Sequence, residues 1–242
     1  MPNNQYETAA VLSHQKLANH YHMLRLHAPA CAALARPGHF ASLYYDTTHC
    51  SLSIMRTDPN AGWVDFLYRA VDSDTLLLSQ QKPANHIKLT APLGNAFITC
   101  KDKPQALLIG EGVGIPSLIF LADALRYERA IQPLFLMGFD GPLPFAPHPS
   151  RFIVHGIPPG VIAAMPLMED WAIPSRLANT QGLPGCFDGN VVDLACIWLE
   201  SLTAGQRDEA EIFASGPRLM VEAATRLALD HQVAYQASLH EQ

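Results

Sequence analysis

The first hundred residues consist of short β-rich runs in which apolar and polar positions alternate, as expected for strands with one buried face. Proline- and glycine-containing turns, at residues 36–38, 58–60 and 82–83, separate these runs. We expect one helical interruption, near Ser73–Gln80, capped by Asp72 or Ser73. The pattern is typical of a small antiparallel barrel or sandwich, and we expect a Greek-key β-barrel. The predicted strands are Tyr6–Leu12, His22–His27, His39–Tyr45, Ser51–Met55, Trp63–Val71 and His86–Leu89.

After Pro104 the pattern changes to continuous apolar runs followed by helical periodicity. Such runs are typical of parallel strands that are buried on both faces and joined by crossover helices. The predicted strands are Gln105–Gly110, Pro133–Gly138, Arg151–His155, Ser175–Asn179, Glu211–Ala214 and Val233–Ser238. The predicted helices are Ile115–Tyr127, Val161–Trp171, Val191–Leu202 and Pro217–Leu229. Residues 142–149 and 180–189 resemble loops. The sequence therefore predicts two domains, a barrel over residues 1–100 and a doubly wound, parallel-sheet nucleotide-binding domain over residues 101–242.

Composition and charge exclude several classes of protein. Of the 242 residues, 49% are hydrophobic and 16% charged, which is enough apolar material for two packed cores. The net charge is −6 and no basic block occurs, so nucleic acid is not an expected partner. The N-terminus lacks the pattern of a signal peptide, and no apolar run approaches the roughly 18 residues of a membrane span. We therefore expect a soluble cytoplasmic protein that does not bind membranes.

Cysteines and histidines do not indicate a metal site. The five cysteines are widely spaced and odd in number, which fits neither a disulfide framework nor a paired-cysteine metal motif. We interpret them as free thiols, mostly buried. His20 and His22 would share one face of a strand, but no cysteine or carboxylate cluster lies near them in sequence. The sequence therefore predicts no metal site.

A glycine-rich turn, Gly110-Glu111-Gly112-Val113-Gly114, lies between a predicted strand and a predicted helix. Glycines allow a phosphate to approach the backbone, and the helix start favours its charge. Position 115 is isoleucine, so the motif is incomplete. A tight turn without a ligand is one alternative. A methyltransferase, with Asp140 on a ribose, is another, but the preceding barrel and the late position of that acid argue against it.

Motifs in one order along nearly the whole chain resemble the electron-transfer subunit of dihydroorotate dehydrogenase, within the ferredoxin-reductase type of flavin and nicotinamide reductases. The most distinctive match is Ala91-Pro92-Leu93-Gly94-Asn95-Ala96-Phe97, which is close to the family's G-P-L-G-N-x-F. The other matching segments are residues 36–40, 51–54, 67–71, 110–118, 189–194, 214–217 followed by Met220, and 236–241.

The resemblance implies an FAD-binding barrel joined to an NADH-binding domain, with a protein electron acceptor or catalytic subunit as partner. Homo-oligomerisation is left open, and no catalytic side chain is identified. Asp140 would disfavour the 2′-phosphate of NADPH, or it is a solvated loop acid. The family's cluster-binding cysteines follow the segment matched by residues 236–241, and this sequence ends at Gln242, so we expect no iron–sulfur cluster. The resemblance assigns cofactor contacts to Ser51, Leu52, Ser53, Tyr68, Arg69, Thr75, Gly94, Asn95, Gly110, Gly112, Gly114, Ser215, Gly216 and Pro217.

Several positions depart from the family's pattern. Cys50 stands where the family has a flavin-binding arginine, and Asp72 and Asp74 replace two glycines of a G-x-G-T turn under the FAD pyrophosphate. Ser215 replaces a cysteine near the expected nicotinamide position. Two hypotheses follow. The chain is either an NADH-linked flavin-dependent electron-transfer protein or a non-catalytic descendant that serves as a binding or regulatory subunit with weakened or lost FAD binding.

Overall fold

The computed structural model describes residues 6–239, so the predicted motif positions His240 and Glu241 lie outside the described residues. The chain consists of two compact units, Met1–Ala96 and Phe97–Gln242. The boundary between them lies four residues before the predicted domain boundary. No helix in the described part of the chain is long and apolar enough to cross a membrane.

Unit 1 contains an antiparallel sheet of seven strands in the order β4-β3-β7-β1-β2-β6-β5. Strand β4, at one edge, contacts β6, so the sheet curls into a half-barrel and confirms the predicted class of this unit. Its core is formed by alternating apolar positions, for example Leu24 and Leu26, which are fully buried. The strands are β1 Glu7–Lys16, β2 Tyr21–His27, β3 Phe40–Tyr45, β4 Thr48–Ser53, β5 Arg56–Asp58, β6 Trp63–Arg69 and β7 His86–Leu93. The helices are α1 Pro29–Leu34 and α2 Ser73–Leu78.

The prediction of a single helix in this unit is wrong, because α1 is also present. Pro29 occupies its first turn, where the missing N–H costs nothing. The carboxylate of Glu7 in β1 accepts hydrogen bonds from the backbone N–H groups of Ala30 and Cys31, each at 2.9 Å. This distant cap is invisible in a local sequence window. Cys31 is also the one cysteine of the five that is fully buried, so the expectation that most are buried is wrong.

Unit 2 contains a six-stranded parallel sheet in the order β13-β12-β9-β8-β14-β15. A two-stranded hairpin, β10 with β11, lies outside it. The strands are β8 Gln105–Glu111, β9 Gln132–Phe139, β10 His148–Pro149, β11 Ala163–Ala164, β12 Ser175–Asn179, β13 Phe187–Asp188, β14 Ala210–Gly216 and β15 Ala234–Leu239. The helices are α3 Ile115–Leu125, α4 Pro166–Asp170, α5 Val191–Ser201, α6 Ala204–Asp208 and α7 Arg218–His231.

Helices cover both faces of this sheet. Leu107 and Ile109 of β8 belong to a buried cluster with residues of α5 and α7. Gly110 faces the other way, where a Cβ atom would meet side chains of α3. Because successive strand residues point to opposite faces, α3 lies on the face opposite α5 and α7. The doubly wound fold is therefore confirmed.

The predicted strand Arg151–His155 is wrong, and the predicted helix that follows it begins only at Pro166. The buried carboxylate of Glu169 accepts hydrogen bonds from Ser150 Oγ at 2.7 Å and from the backbone N–H of Arg151 at 3.0 Å. The guanidinium of Arg176 donates to the carbonyl oxygen of Phe152 at 2.7 Å. These two side chains therefore form hydrogen bonds with the N–H of Arg151 and the carbonyl group of Phe152, which a strand would have used to pair with its neighbours in a sheet. The predicted loop 180–189 also contains a short strand, β13, which pairs with β12.

Candidate functional site

The carboxyl edge of the parallel sheet has a topological switch point between β8 and β14. From β8 the chain continues to β9 on one side, and it returns later to β14 on the other. In open α/β sheets ligands bind at such a point, outside the carboxyl ends of the strands. Ser215 pairs with Gly110 in register here. The structure thus brings together the five positions predicted to bind the dinucleotide, with the predicted cofactor contact Pro217 directly after them: Gly110, Gly112, Gly114, Ser215 and Gly216.

The glycines of this edge have two different roles. A Cβ atom on Gly114 would lie 2.1 Å from the backbone of Ser215, and one on Gly216 would lie 3.0 Å from the carbonyl oxygen of Glu111. These two glycines therefore allow the turn to pack against the end of β14. Gly112 has φ +51° and nothing within 4 Å of where a Cβ atom would stand. It is the glycine that leaves backbone open to an approaching group.

The two helices that begin at this edge lack side-chain caps. α3 follows Gly114 and α7 follows Pro217, and in neither case does a side chain accept from the first N–H groups. At α3 the N–H of Ile115 donates to the carbonyl oxygen of Gly112 and Pro116 has no N–H, so mainly the helix dipole favours an anion there. At α7 the first N–H groups have no partner within the helix, and together with the dipole they favour an anion.

Ser215 carries an unsatisfied polar atom at the switch point. The residue is fully buried, and among residues 6–239 its hydroxyl has no hydrogen-bond partner. Buried hydroxyl groups are almost always bonded, because leaving one unpaired costs free energy. A polar group of a bound cofactor would supply the missing partner, so these residues fit a dinucleotide.

Two carboxylates stand at the neighbouring strand ends. Glu111 ends β8 and is half-buried, and Asp140 follows β9 and is exposed. Burial, and next the nearby charge of Asp140, raise the pKa of the Glu111 carboxyl. Asn179, which is buried, fixes the segment around Asp140 by donating to the carbonyl oxygens of Phe139 and Gly141, at 2.8 and 2.7 Å. The acidic edge disfavours additional phosphate charge at this position.

In unit 1, the helix expected to hold the FAD pyrophosphate is already capped from within the chain. Asp72 accepts a hydrogen bond from the backbone N–H of Thr75 at 2.8 Å. The hydroxyl of Thr75 in turn accepts from the N–H groups of Val71 and Asp72, at 3.1 and 3.2 Å. This reciprocal pair is a capping box. The N–H of Thr75, one of the donors that a phosphate would use, is therefore occupied, and the carboxylate of Asp72 stands beside it.

Cys50 introduces no positive charge beside this helix. Its thiol is half-buried, and its pKa is raised to about 11 by burial and by the carboxylates of Asp72 and Asp74, although a hydrogen bond with Tyr45 opposes the rise. The thiol is therefore neutral at physiological pH. Arg56 does not replace the missing arginine, because it begins the next strand, β5, and pairs in register with Asp65 of β6. The residues at the start of α2 thus do not fit an FAD pyrophosphate.

Tyr68 and Arg69 are neighbours in β6 and so point to opposite faces of the sheet. Tyr68 is buried, and its hydroxyl forms a hydrogen bond with Nε2 of His14 at 2.9 Å. The guanidinium carbon of Arg69 lies 6.0 Å from the ring centroid of Tyr21. The structure does not bring these two predicted flavin contacts to one surface.

The remaining predicted cofactor contacts of unit 1 lie on β4 and after β7. Leu52 and Ser53 are buried, whereas Ser51 is exposed and its hydroxyl is 3.1 Å from that of Ser42. Gly94 has φ +81°, and a Cβ atom there would touch the ring of Phe40 at 3.0 Å. Asn95, which follows it, is exposed. Gly94 therefore has a packing role of its own against β3.

Sequence reasoning missed a cluster of His14, His22 and Tyr68 in unit 1. The rings of His22 and Tyr68 stack with centroids 5.4 Å apart, and His14 contacts both. Burial, followed by the positive charges of His14, Lys16 and His20, lowers the pKa of His22. His20 does not share a strand face with His22 as expected, because it lies in a 3₁₀ turn before β2. Only the cross-strand register brings the cluster together, and no single segment carries that signal.

This cluster borders a cleft of about 610 Å³. The cleft contains two lysines and two histidines and no carboxylate, so it is a basic depression on an otherwise acidic protein. It lies beside the segment that follows α2, beyond the end of the helix opposite its cap. The lining residues are His14, Lys16, His22, Ser79, Gln80, Gln81, Lys82 and Pro83.

Comparisons with known proteins agree with the motifs. No family model matches the chain. It is 31% identical over 141 residues to the electron transfer subunit of dihydroorotate dehydrogenase B (NAD(+)) of Geobacillus sp. strain WCH70, covering 55% of this chain and 54% of that protein. The corresponding subunit of Bacillus velezensis is 31% identical over 137 residues, 54% of this chain and 53% of that protein. The chain spans about half the length of the curated relatives it matches.

Solved structures share the fold at low sequence identity. An NADH-dependent reduced ferredoxin-NADP oxidoreductase superposes with a TM-score of 0.74 at 22% identity, over 100% of this chain and 79% of that chain. The ferredoxin reductase of carbazole 1,9a-dioxygenase gives 0.75 at 18% identity, over 97% and 69%. At these identities the likeness establishes the ferredoxin-reductase fold, and the resemblance predicted from the motifs is confirmed.

Proposed function

We propose that this chain, which is related in sequence to the electron-transfer subunits of dihydroorotate dehydrogenase B and has the ferredoxin-reductase fold, binds NADH at the Gly110–Gly114 turn and acts in electron transfer to a partner protein. The observation that carries the proposal is the open glycine turn at the switch point of the parallel sheet, next to the unpaired hydroxyl of Ser215. NADH is preferred to NADPH because Asp140 follows β9, where a carboxylate disfavours a 2′-phosphate on the ribose.

The protein's own residues would hold the dinucleotide in the following way. Gly112 admits the pyrophosphate to the backbone, and the positive end of the helix dipole at the start of α3 favours its charge. Ser215 donates to or accepts from a polar group of the nicotinamide moiety, which fixes its orientation. In flavin and nicotinamide reductases the cofactors carry the redox chemistry, and the protein binds and orients them. No acid or base from the protein is required.

A second candidate is a non-catalytic binding or regulatory subunit that keeps the dinucleotide site and has lost the flavin. It is favoured by a specific observation, the capping box at α2 beside the neutral Cys50 thiol. The two candidates share the site in unit 2 and differ only in the flavin, so one preparation distinguishes them.

The first experiment is an absorbance spectrum of the freshly purified protein, followed by addition of NADH without oxygen. Flavin bands that bleach with NADH support the electron-transfer protein. A colourless protein that takes up no added FAD but binds NADH, measured by the change in NADH fluorescence, supports the non-catalytic subunit. A protein that binds no NADH refutes both candidates.

The second experiment tests the turn with matched glycine variants. Gly112→Ala places a methyl group in the open space where the pyrophosphate is expected. Gly182→Ala is the control, because Gly182 also has a positive φ, +65°, and open space around it. Both changes carry a similar strain, about 1–2 kcal/mol for a left-handed alanine. We expect NADH affinity to fall at least tenfold in Gly112→Ala alone, and equal affinities would refute the placement of the site.

A further inference from the structure

Three metal-ligating side chains converge on the surface formed by α5 and α7, away from the glycine turn. Cys196 and Glu200 lie one helical turn apart on α5, and His231 is the last residue of α7. One potential ligand atom from each lies within 4.8 Å of the other two. We propose that Cys196, Glu200 and His231 bind a divalent, thiol-preferring cation, with Zn²⁺ as the expected ion.

The distances match the geometry of such a site. The Sγ atom of Cys196 lies 3.6 Å from Oε1 of Glu200 and 3.9 Å from Nε2 of His231. In a tetrahedral zinc site, bond lengths of about 2.3 Å to sulfur and 2.0–2.1 Å to nitrogen and oxygen place the sulfur about 3.5–3.6 Å from the other ligand atoms. The two separations from Sγ therefore need to change by no more than a few tenths of an ångström, while the ligand atoms of Glu200 and His231, within 4.8 Å of each other, need to move closer together.

The surrounding charges favour a cation. The carboxylates of Glu200, Asp193 and Asp230 all act on the thiol of Cys196. A divalent cation at this position would be attracted by the same negative charges. Cys196 would bind it as a thiolate, with its proton passing to solvent.

The donor set selects the kind of ion. A thiolate and an imidazole disfavour Mg²⁺ and Ca²⁺, which take oxygen ligands, and favour Zn²⁺ among common divalent ions. Three protein ligands leave one tetrahedral position to water. The ion would join the middle of α5 to the end of α7. Cys196 and His231 are 35 residues apart in the sequence. This separation along the chain explains why the sequence alone predicts no metal site.

Co²⁺ provides the test, because it reports its ligands in its spectrum. Titration of the metal-free protein with Co²⁺ should give one equivalent with the intense near-ultraviolet band of a thiolate–cobalt bond, and Zn²⁺ should displace it. Cys196→Ser should abolish this band, and His231→Gln and Glu200→Gln should each weaken Zn²⁺ binding at least tenfold. Cys186→Ser is the control, since Cys186 is also half-buried but lies outside the cluster.

Three results would overturn the proposal: no thiolate band with the wild-type protein, a band that persists in Cys196→Ser, or Zn²⁺ affinity unchanged in either His231→Gln or Glu200→Gln. Circular dichroism of each variant shows whether it has folded. If Cys196→Ser fails to fold, the band of the wild-type protein and the Zn²⁺ affinities of the other two variants decide.

Discussion

Replacing Asp72 by glycine should increase the affinity for FAD. The variant removes a carboxylate from the start of α2 and frees the N–H group of Thr75 that it now binds at 2.8 Å. The cost to folding is small, a few tenths of a kcal/mol, because glycine is itself an acceptable N-cap residue. Asp72 is exposed, so its repulsion of a phosphate about 4 Å away is near the water-like limit of about 1 kcal/mol. The freed N–H of Thr75 can donate a hydrogen bond to the charged phosphate, which adds about 1.5 kcal/mol or more to the binding free energy. The sum corresponds to FAD binding about 10- to 100-fold tighter.

The assay is titration of the flavin-free protein with FAD, followed by quenching of flavin fluorescence. Asp58→Gly is the matched control, because Asp58 lies in the same unit and also accepts backbone N–H groups, from Asn60 at 2.9 Å and Ala61 at 3.0 Å. Asp58→Gly removes the same charge away from α2 and should leave FAD affinity unchanged. Adding Asp74→Gly and Cys50→Arg to Asp72→Gly should tighten binding further. If Asp72→Gly and Asp58→Gly bind FAD equally, the capping box is not what limits the flavin site.

Three further predictions concern unit 2. Because burial and Asp140 raise the pKa of Glu111, the folded protein holds this proton more tightly than the unfolded chain, and stability is lost as pH rises above about 4.3. Glu111→Gln should therefore raise the melting temperature at pH 7.5 but not at pH 4. Glu128→Gln, at an exposed position, is the control and should not show this difference between the two pH values. An equal effect of Glu111→Gln at both pH values contradicts the prediction. Ser215→Ala removes an unpaired buried hydroxyl, so thermal unfolding should show no loss of stability while NADH affinity falls; a loss of more than about 1 kcal/mol would mean that the hydroxyl is already bonded. Burial raises the pKa of Glu169, but hydrogen bonds from Arg151 and Ser150 outweigh it and lower the pKa overall, so the stabilisation exists above pH 4.3 and disappears in acid. Glu169→Gln should cost about 2 kcal/mol in urea unfolding at pH 7, a value reduced for the exposure of Arg151, whereas Glu222→Gln, in the exposed pair with Arg218, should cost less than about 0.5 kcal/mol.

Much of the fold could be predicted because local patterns and the tertiary structure agree. Alternation along β2 and the continuous apolar run of β8 each indicate the correct strand. The failures occur where a distant side chain decides the local backbone. Glu7 caps α1 across the unit, and Glu169 and Arg176 hold residues 150–152 away from the sheet. Neither partner is recognisable within a short window of sequence.

The candidate sites divide in the same way. The glycine turn could be predicted because its residues are contiguous and its strand and helix flank it directly. The capping of α2 by Asp72 could be predicted from the sequence. The second half of the capping box, formed by the side chain of Thr75, is seen only in the structure. The clusters around Tyr68 and Cys196 each unite residues from separate elements through strand register or helix packing. Such groupings are absent from any linear motif.

The contact of Gly114 with Ser215 has a consequence for the order of folding. The turn at the end of β8 rests on backbone that the chain supplies about a hundred positions later, in β14. Contacts of such long sequence separation form late, because a large loop must close first. During synthesis, β8 and α3 therefore emerge well before the surface that shapes their connecting turn. A chain truncated before β14 should contain the whole Gly110–Gly114 turn and still lack the backbone against which that turn packs.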